Sequence, residues 1–212
     1  MKEENEISLE AASLGWGFCF EVGLGLLALL FGQLTSVWPA ETLWPVSFTS
    51  IVIGIGSALP PLLIVMGLRR VGWGPFQRLT NLVDDKLVPM FRGMSLLDLA
   101  LLSFAAGWGE ELLFRGLIQG EIAYHTNVVV GVAVASIAFG LVHFLSVTYF
   151  VMALLVSVYF GWLYWQFGTL WVPILGHAVY DFLMLWQLQR RDEAESAKAL
   201  PEADVSSTTH QD

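Results

Sequence analysis

The sequence predicts an all-α, polytopic membrane protein with about six transmembrane helices around a polar intramembrane cavity. Of the 212 residues, 56% are hydrophobic and only 14% are charged, whereas a soluble domain carries about 25% charged residues. The apolar residues form long runs, and a helix needs roughly 20 of them to cross a bilayer. A polar cavity is expected because several ionisable residues lie inside these runs, where a charge needs a partner or water.

The net charge of −9 does not indicate a soluble acidic protein, because ten of the nineteen acidic residues lie in the two ends, residues 3–10 and 192–212. No basic stripe is present to neutralise phosphates, so nucleic acid is not an expected partner. The acidic N-terminus does not resemble a signal peptide. Residues 1–13 are therefore expected to be a cytoplasmic N-terminal segment, followed by a first span that is retained.

Six apolar segments account for the predicted transmembrane domain, residues 14–188. The second contains Pro60 and Pro61, which should kink it. Residues 144–176 contain no charged residue and are too long for one crossing, so Gly168, Thr169 and Pro173 are taken as a break between two spans. The six predicted spans are residues 14–34, 46–68, 95–118, 128–146, 148–166 and 170–188.

The Lys/Arg distribution predicts the orientation. Basic residues cluster in residues 69–94 and after residue 188, whereas the other loops contain none. Six spans place every basic segment on one side, so both termini are expected in the cytoplasm, and the compact chain favours a bacterial inner membrane. Residues 69–94 have apolar side chains at helical spacing and are predicted to form an amphipathic cytoplasmic segment, with a solvated loop as the alternative. Residues 189–212 are expected to be a disordered tail.

The ionisable residues inside the spans are the candidate functional groups. Glu111 and Arg115 share a helix face, as do His177 and Asp181, whereas Glu110 is rotated by about 100° from Glu111. One acid can therefore pair with an arginine while the other faces a cavity. Two histidines and three acids can supply a base, an orienting group and oxyanion donors for activating water. The alternative is a set of structural polar contacts. The candidates are Glu110, Glu111, Arg115, His143, His177 and Asp181.

Other residues near these groups have simpler interpretations. Glu21 and Asp98 lie near span ends and are expected to reach the interface or cap a helix. Gly107 and Gly109 flank the acids and should allow another helix or a substrate backbone to approach closely.

The predicted boundaries do not bring the candidate groups to one depth. Glu110 lies fifteen residues after the start of its span and His143 fifteen after the start of the next, so each lies about 22 Å from opposite surfaces. In a core about 30 Å thick, the two groups would be about 14 Å apart in depth. A boundary of the third or fourth span must therefore differ from the prediction.

Three short motifs, in order, resemble those of a known family. Residues 110–116 (EELLFRG) are similar to its EExxxR motif, residues 139–143 (FGLVH) to its FxxxH motif, and residues 177–181 (HAVYD) to its third motif, Hxxx followed by Asn or Asp. On these residues the chain resembles the CPBP family of CAAX-processing and bacteriocin-processing membrane endopeptidases, also called the Abi family. The resemblance covers about residues 99–185.

The resemblance implies an intramembrane endopeptidase of the metallo- or glutamate type. Glu110 and His143 would activate water, His177 and Asp181 would polarise the scissile carbonyl, and Glu111 and Arg115 would form an ion pair that holds the third helix. Because an ionised Asp181 would repel an oxyanion, it is either protonated or orients His177, and orientation is favoured.

A zinc or other divalent ion is the open cofactor question. The metalloprotease description of the family implies zinc, whereas the glutamate-protease description needs none, and no HExxH helix is present. If a metal is bound, its expected ligands are Glu110, His143 and His177.

The expected partner is a protein or peptide at the bilayer, such as a prenylated C-terminal tail, a bacteriocin leader or a segment of a membrane protein. Two other classes are alternatives. One is a non-catalytic immunity or scaffold protein that keeps the motif residues as structural contacts, and the other is a proton-coupled transporter.

Overall fold

The computed structural model describes residues 2–199, apart from the side chains of residues 2–13, 196, 198 and 199. Over this range the chain is helical and contains no β-strand. The helices are α1 (Lys2–Gly32), α2 (Phe48–Gly56), α3 (Leu59–Val71), α4 (Gly74–Lys86), α5 (Val88–Phe91), α6 (Leu96–Glu111), α7 (Gly120–His125), α8 (Val128–Val142), α9 (Val147–Phe167) and α10 (Trp171–Ala199), with a 3₁₀ turn at Pro39–Leu43 and a π-helical segment at Leu112–Gln119.

Length and hydropathy confirm a polytopic membrane protein. Leu14–Gly32, Phe48–Val71 and Val147–Phe167 are long and apolar enough to cross a bilayer, and Val128–Val142 is a shorter apolar helix. Large apolar side chains cover the outer surface: Phe48 is 81% exposed and Val129 is 77% exposed. A soluble monomer rarely exposes such a continuous apolar surface, but lipid tails are a suitable solvent for it.

The predicted kink in the second span is confirmed as a break between α2 and α3. The two prolines occupy the start of α3, where their missing N–H groups cost nothing. Ser57 lies in the break and is buried, and its hydroxyl donates to the Gly54 carbonyl at 2.6 Å. The Tyr159 hydroxyl donates to the Ser57 carbonyl at 3.1 Å, so α9 stabilises the break.

The third span begins as predicted but ends later. Ser95 and Asp98 form a reciprocal capping box at the start of α6, which confirms the capping interpretation of Asp98. The helix does not end at residue 118, because the π-helical segment and α7 continue it to His125. The chain turns only at Thr126 and Asn127, and the Asn127 side chain caps α8 by accepting from the Val130 N–H at 3.1 Å.

This longer helix removes the predicted difference in depth. The chain travels fifteen residues from Glu110 to His125 and fifteen back from Val128 to His143, which is about 22 Å in each direction. The two side chains therefore return to one level inside the bundle.

Residues 74–94, here called the cover segment, include α4 and α5 and pack across one end of the helix bundle. The apolar side chains of this amphipathic segment face the bundle. Phe76 and Leu79 are buried against Val65, with Met152 and Met184 packed around the cluster. The hydrophobic face of α4 thus meets the bundle rather than solvent.

Polar contacts fasten the cover segment to α10. Arg92 donates two hydrogen bonds to Asp192, at 2.7 and 2.6 Å. Arg191 lies 3.3 Å from Asp84. The Gln189 amide donates to the Phe91 and Met94 carbonyls at 3.3 and 2.8 Å.

The two ends of the chain differ from the sequence prediction. Helix α10 extends to Ala199, so residues 189–199 are helical instead of disordered. Their Ala, Glu and Lys content favours a helix, and the contacts with the cover segment hold them. The rest of the predicted tail, residues 200–212, lies outside the described residues. At the other end, α1 begins at Lys2, so the predicted boundary at residue 14 is not a break in the helix.

Candidate active site

Glycines bring three helices together at the acids of α6. A Cβ on Gly107 would lie 2.8 Å from the Ile174 carbonyl oxygen and 2.9 Å from the Ala178 nitrogen, and a Cβ on Gly109 would overlap the Glu21 carbonyl. The prediction that these glycines permit close approach is therefore confirmed. Helices α10 and α1 both pack against α6.

Glu111 joins two of the candidate residues. Its Oε1 atom lies 3.0 Å from Arg115 Nη1 and 2.8 Å from His177 Nδ1. Arg115 is 1% exposed and Glu111 is fully buried. The structure thus contains the ion pair that the resemblance implied. It also shows that Glu111 orients His177, a contact that the sequence analysis did not foresee.

The π-helical segment directs the side chains of Arg115 and Gln119 towards α9. Arg115 Nη2 donates to the carbonyl and the hydroxyl of Ser157, at 3.1 and 3.0 Å. The Gln119 amide donates to the Gly161 carbonyl at 3.0 Å. A π-helical turn frequently marks a functional site. Ser157 and Gln119 were missed by sequence reasoning, because neither belongs to a motif.

Phe139, the aromatic residue of the second motif, packs between charged and polar groups of the site. Its ring stacks on the His143 ring with 4.3 Å between centroids. The Arg115 guanidinium carbon lies 4.8 Å from the Phe139 centroid, within the range of a cation–π interaction. The phenylalanine therefore positions both the histidine of its own motif and the arginine of the first.

Glu110 lies between the two imidazoles. Its Oε1 atom is 3.5 Å from His143 Nε2, and its Oε2 atom is 3.8 Å from His177 Nε2. His143 Nδ1 donates to the Phe139 carbonyl at 2.9 Å. Because a carbonyl only accepts hydrogen bonds, this nitrogen carries the hydrogen, and Nε2 is left facing Glu110.

Asp181 contacts His177 at the nitrogen that faces the cavity. Its Oδ2 atom lies 3.4 Å from His177 Nε2, while Glu111 holds Nδ1 on the other side of the ring. Asp181 therefore touches His177 as the orientation interpretation requires, but Glu111 makes the shorter contact. Glu110 and Asp181 converge on the same nitrogen.

A cavity of about 420 Å³ contains the convergent groups Glu110, His143, His177 and Asp181. Apolar side chains from the cover segment, α9 and α10 form most of its wall. Glu21 also lines this cavity, and its Oε2 atom is buried without a hydrogen-bond partner among the described residues. The expectation that Glu21 reaches the interface is wrong, because Gly109 lets α1 lie directly against the acids.

The candidate metal ligands face one another at the cavity, since Glu110 lies 3.5 Å from His143 Nε2 and 3.8 Å from His177 Nε2. Among the side chains that the structure describes, no group of three or more His, Cys, Asp or Glu residues is arranged to hold a metal ion. The proposed ligands Glu110, His143 and His177 lie near one another, and because Glu111 holds His177 Nδ1, the Nε2 atom is the one that a metal could bind. Zinc binding by this site stays a prediction.

Comparisons with known proteins agree with the three motifs. A family model described as "Type II CAAX prenyl endopeptidase Rce1-like" matches residues 92–183. The chain is also similar to "Uncharacterized protein YpbD" of Bacillus subtilis (strain 168), with 27% identity over 151 residues, which are 67% of this chain and 74% of that protein. No solved structure matches the chain.

Residues 92–183 contain Glu110, Glu111, Arg115, His143, His177 and Asp181, all the groups that the sequence analysis proposed. The family match thus confirms the resemblance, since residues 92–183 are similar to the Rce1-like CAAX prenyl endopeptidase family.

Proposed function

We propose that this protein is an intramembrane endopeptidase that hydrolyses a peptide bond of a membrane-associated or prenylated protein or peptide. The observation that carries the proposal is the position of Glu110, between the Nε2 atoms of His143 and His177 at the wall of a cavity inside a membrane helix bundle. The similarity of this region to a family of endopeptidases supports the same reaction.

Glu110 and His143 would activate the attacking water. Their facing atoms are 3.5 Å apart, so one water can contact both, and either group can act as general base. The water oxygen attacks the scissile carbonyl carbon, and its proton passes to Glu110. The same proton then moves to the nitrogen of the leaving amine as the C–N bond breaks. The products are an amine and a carboxylic acid, which then ionises to the carboxylate.

His177 would stabilise the oxyanion that forms on the carbonyl oxygen. Glu111 fixes the ring through Nδ1, so Nε2 points into the cavity beside Glu110. In its imidazolium form this ring donates from both nitrogens, and a positioned donor at the developing charge is a major source of catalysis. Asp181, 3.4 Å from Nε2, would balance the positive charge of the imidazolium.

Cleavage of membrane-tethered peptides by purified protein tests this proposal. We expect Glu110→Gln and His143→Ala each to lower kcat by at least about a hundredfold, since general acid–base catalysis contributes about 10²- to 10⁴-fold. Mass spectrometry of the products measures the rate and identifies the cleaved bond. Glu41→Gln and His125→Ala are matched controls, because both side chains lie outside the cavity, and they should leave the rate unchanged.

The alternatives give different results in the same assay. A non-catalytic immunity or scaffold protein that retains the motif residues as structural contacts would show no cleavage that Glu110→Gln abolishes. A divalent metal held by Glu110, His143 and His177 is the alternative means of activating the water. Loss of cleavage in a chelator, restored by added zinc, would support the metal, whereas persistence in the chelator would support activation by Glu110 and His143 alone.

A further inference from the structure

Ser103 and Glu21 are polar residues at the wall of the active-site cavity. The Oγ atom of Ser103 and the Oε2 atom of Glu21 are buried, and neither has a hydrogen-bond partner among the described residues. Ser103 is only 2% exposed. A serine inside a helix often bonds to the carbonyl four residues earlier, but this hydroxyl does not. Because a buried polar group without a partner is costly, a ligand in the cavity is expected to supply the missing hydrogen bonds.

The two residues belong to one side of the cavity, here called the α1–α6 wall. Ser103, Ala106 and Glu110 line the cavity from α6, and their spacing of i, i+3 and i+7 puts them on one helix face. Gly17 and Glu21 line it from α1 and are spaced at i and i+4. Because α1 packs against α6, these five residues form a continuous surface.

Glu21 lies between Ser103 and Glu110 along the α1–α6 wall. A Cβ on Gly17 would lie 3.3 Å from Leu102 Cδ1, so Gly17 is level with the Ser103 end of the wall. Glu21 follows one helical turn later, and its carbonyl lies against the glycine that precedes Glu110. The wall therefore carries three separate polar side chains in a row.

The dimensions of the α1–α6 wall suit an extended peptide. Glu110 follows Ser103 by seven residues, which is about 10 Å along the helix. This is the length of about three residues of extended chain. Gly17 and Ala106 carry no more than a methyl group, so a peptide main chain can approach the wall closely.

A peptide in this cavity needs hydrogen-bond partners for its main chain. Each peptide unit carries an N–H and a C=O group, and leaving them unpaired away from water is costly. The α6 backbone cannot pair with them, because its own groups are bonded within the helix. The apolar side chains that form most of the cavity cannot do so either. The side chains of Glu21 and Ser103 can.

We infer that Glu21 and Ser103 bind the main chain of the substrate, over about three extended residues on one side of the scissile bond. The inference rests on the proposed function, because cleavage at Glu110 fixes one end of the bound segment. Glu21 accepts a hydrogen bond from a main-chain N–H near the scissile bond. The Ser103 hydroxyl, which can donate and accept, contacts a peptide unit farther away. These contacts hold the substrate in register without selecting its side chains.

A series of ester-containing substrates tests the inference without any mutation. The parent is a membrane-tethered peptide that the wild-type protein cleaves in a Glu110-dependent manner. In each member of the series, an ester oxygen replaces one main-chain N–H, at one of the three positions on either side of the scissile bond. We expect one ester to lower kcat/KM about tenfold to a hundredfold, because a hydrogen bond to the Glu21 carboxylate is lost.

Variants then assign this effect to Glu21. In Glu21→Ala the ester and its parent should be cleaved at the same rate. KM for the parent should rise with kcat nearly unchanged, because a contact made equally in the bound substrate and the transition state contributes only to binding. Glu21→Gln keeps an acceptor oxygen and should keep part of the sensitivity to the ester. Glu41→Ala is the matched control, since Glu41 lies outside the cavity.

Replacing Ser103 should have a smaller effect of the same kind. We expect Ser103→Ala to raise KM about twofold to tenfold, because a hydrogen bond between neutral groups is lost. Ser136→Ala is the matched control, because Ser136 is equally buried and does not line the cavity. A Ser103→Ala protein with the KM of the wild type would overturn the role of Ser103.

Three further results would overturn main-chain binding by Glu21. The first is a wild-type protein that cleaves every ester like the parent, and the second is an unchanged ester effect in folded Glu21→Ala. The third is a Glu21→Gln variant as impaired as Glu21→Ala, with cleavage that requires a lysine or arginine in the peptide, which would assign Glu21 to a cationic side chain. All of these results leave Glu110-dependent cleavage, and so the proposed function, intact. An absence of any Glu110-dependent cleavage would overturn both.

Discussion

At the scale of single residues, one carboxylate oxygen of Glu111 contacts residues from two helical segments. Arg115 lies 3.0 Å from this oxygen, and His177 of α10 lies 2.8 Å from it. A buried ion pair adds little net stability, because desolvation offsets the attraction, but removing one partner leaves the other charge uncompensated. Glu111 therefore acts mainly by fixing the geometry of its neighbours.

Replacing Arg115 should destabilise the whole bundle. Arg115→Leu leaves the Glu111 carboxylate fully buried without its cation and removes two donors to Ser157. We expect a loss of about 3 to 5 kcal/mol in the free energy of unfolding, measured by denaturation in detergent. Arg70→Leu serves as the control, because Arg70 is exposed and should change stability by less than about 0.5 kcal/mol. Equal stabilities of the two variants would contradict the structural role of the pair.

Replacing Asp181 should have a smaller effect on activity. In Asp181→Asn the amide can still lie beside His177 Nε2, while Glu111 keeps the ring oriented through Nδ1. We expect kcat/KM to fall by less than about tenfold, equivalent to about 1.4 kcal/mol. Peptide cleavage beside Asp181→Ala measures this, and an asparagine variant as inactive as the alanine variant would show that the negative charge itself is required.

At the scale of helices, two glycines determine which elements reach the site. Gly107 allows α10 to pack closely against α6, and Gly109 allows α1 to do so, because each glycine contacts the backbone of the neighbouring helix. The backbone contact at Gly109 is the reason that Glu21 enters the cavity. Helix packing of this kind, through small residues, is typical inside membranes.

Adding one methyl group at Gly109 should separate α1 from α6. The Cβ of Gly109→Ala would overlap the Glu21 carbonyl, which as backbone has little freedom to move. Overpacking usually costs about 1 to 3 kcal/mol, so we expect lower thermal stability and reduced cleavage. Gly67→Ala is the control, since nothing lies within 4 Å of its added Cβ. A Gly109→Ala protein as stable as Gly67→Ala would contradict the close crossing.

Sequence patterns predicted the elements better than their ends. Apolar runs located the three helices that are long and apolar enough to cross a membrane and the shorter helix Val128–Val142, and the prolines located the break before α3, whereas the count of six spans stays a prediction. The length of the helix in the third predicted span was not foreseen, because the apolar run stops near residue 118, whereas the helix continues to His125. A π-helical segment leaves no periodic signal in a single sequence, so the direction of Arg115 and Gln119 towards α9 was not predictable.

In the candidate site, contacts within one motif could be predicted from the sequence, whereas contacts between distant segments could not. Residues at i,i+4 within one motif, such as Glu111 and Arg115, could be paired from helix geometry alone. Contacts between distant segments could not, since nothing local relates Glu111 to His177 or Arg115 to Ser157. Glu21 lies outside the matched region and became a site candidate only when the folded chain brought it to the cavity wall.

At the scale of the whole molecule, the cover segment and the extended α10 close one end of the bundle. The Arg92–Asp192 pair has the two shortest hydrogen bonds between them. The hydrogen bonds from Arg92 hold the pKa of the Asp192 carboxyl below its ordinary value. Because this pKa is lowered, the charged carboxyl stabilises the folded arrangement at pH values above the ordinary pKa of aspartate. This contribution is lost as the pH falls through the pKa of Asp192 in the folded protein.

Breaking this pair should loosen the cover segment at neutral pH. We expect faster amide hydrogen exchange in residues 74–94 of Asp192→Asn than of the wild-type protein at pH 7. The difference should shrink as the pH falls below about 3.9, the ordinary pKa of aspartate, because the wild-type carboxyl then also loses its charge. Glu193→Gln is the control, because Glu193 is exposed and belongs to no ion pair in the described residues. Unchanged exchange in Asp192→Asn would show that the apolar contacts alone hold the segment.

Because the acids lie inside a lipid-facing bundle, the relevant substrate concentration for this protein is the concentration in the membrane. A substrate held in the same bilayer meets the cavity by lateral diffusion, so its mole fraction in the lipid, not its amount per litre of buffer, sets the frequency of encounter. Adding empty lipid or detergent therefore dilutes such a substrate even though the total volume is constant. Kinetic constants for the proposed reaction have a physical meaning only when they are expressed per unit of membrane.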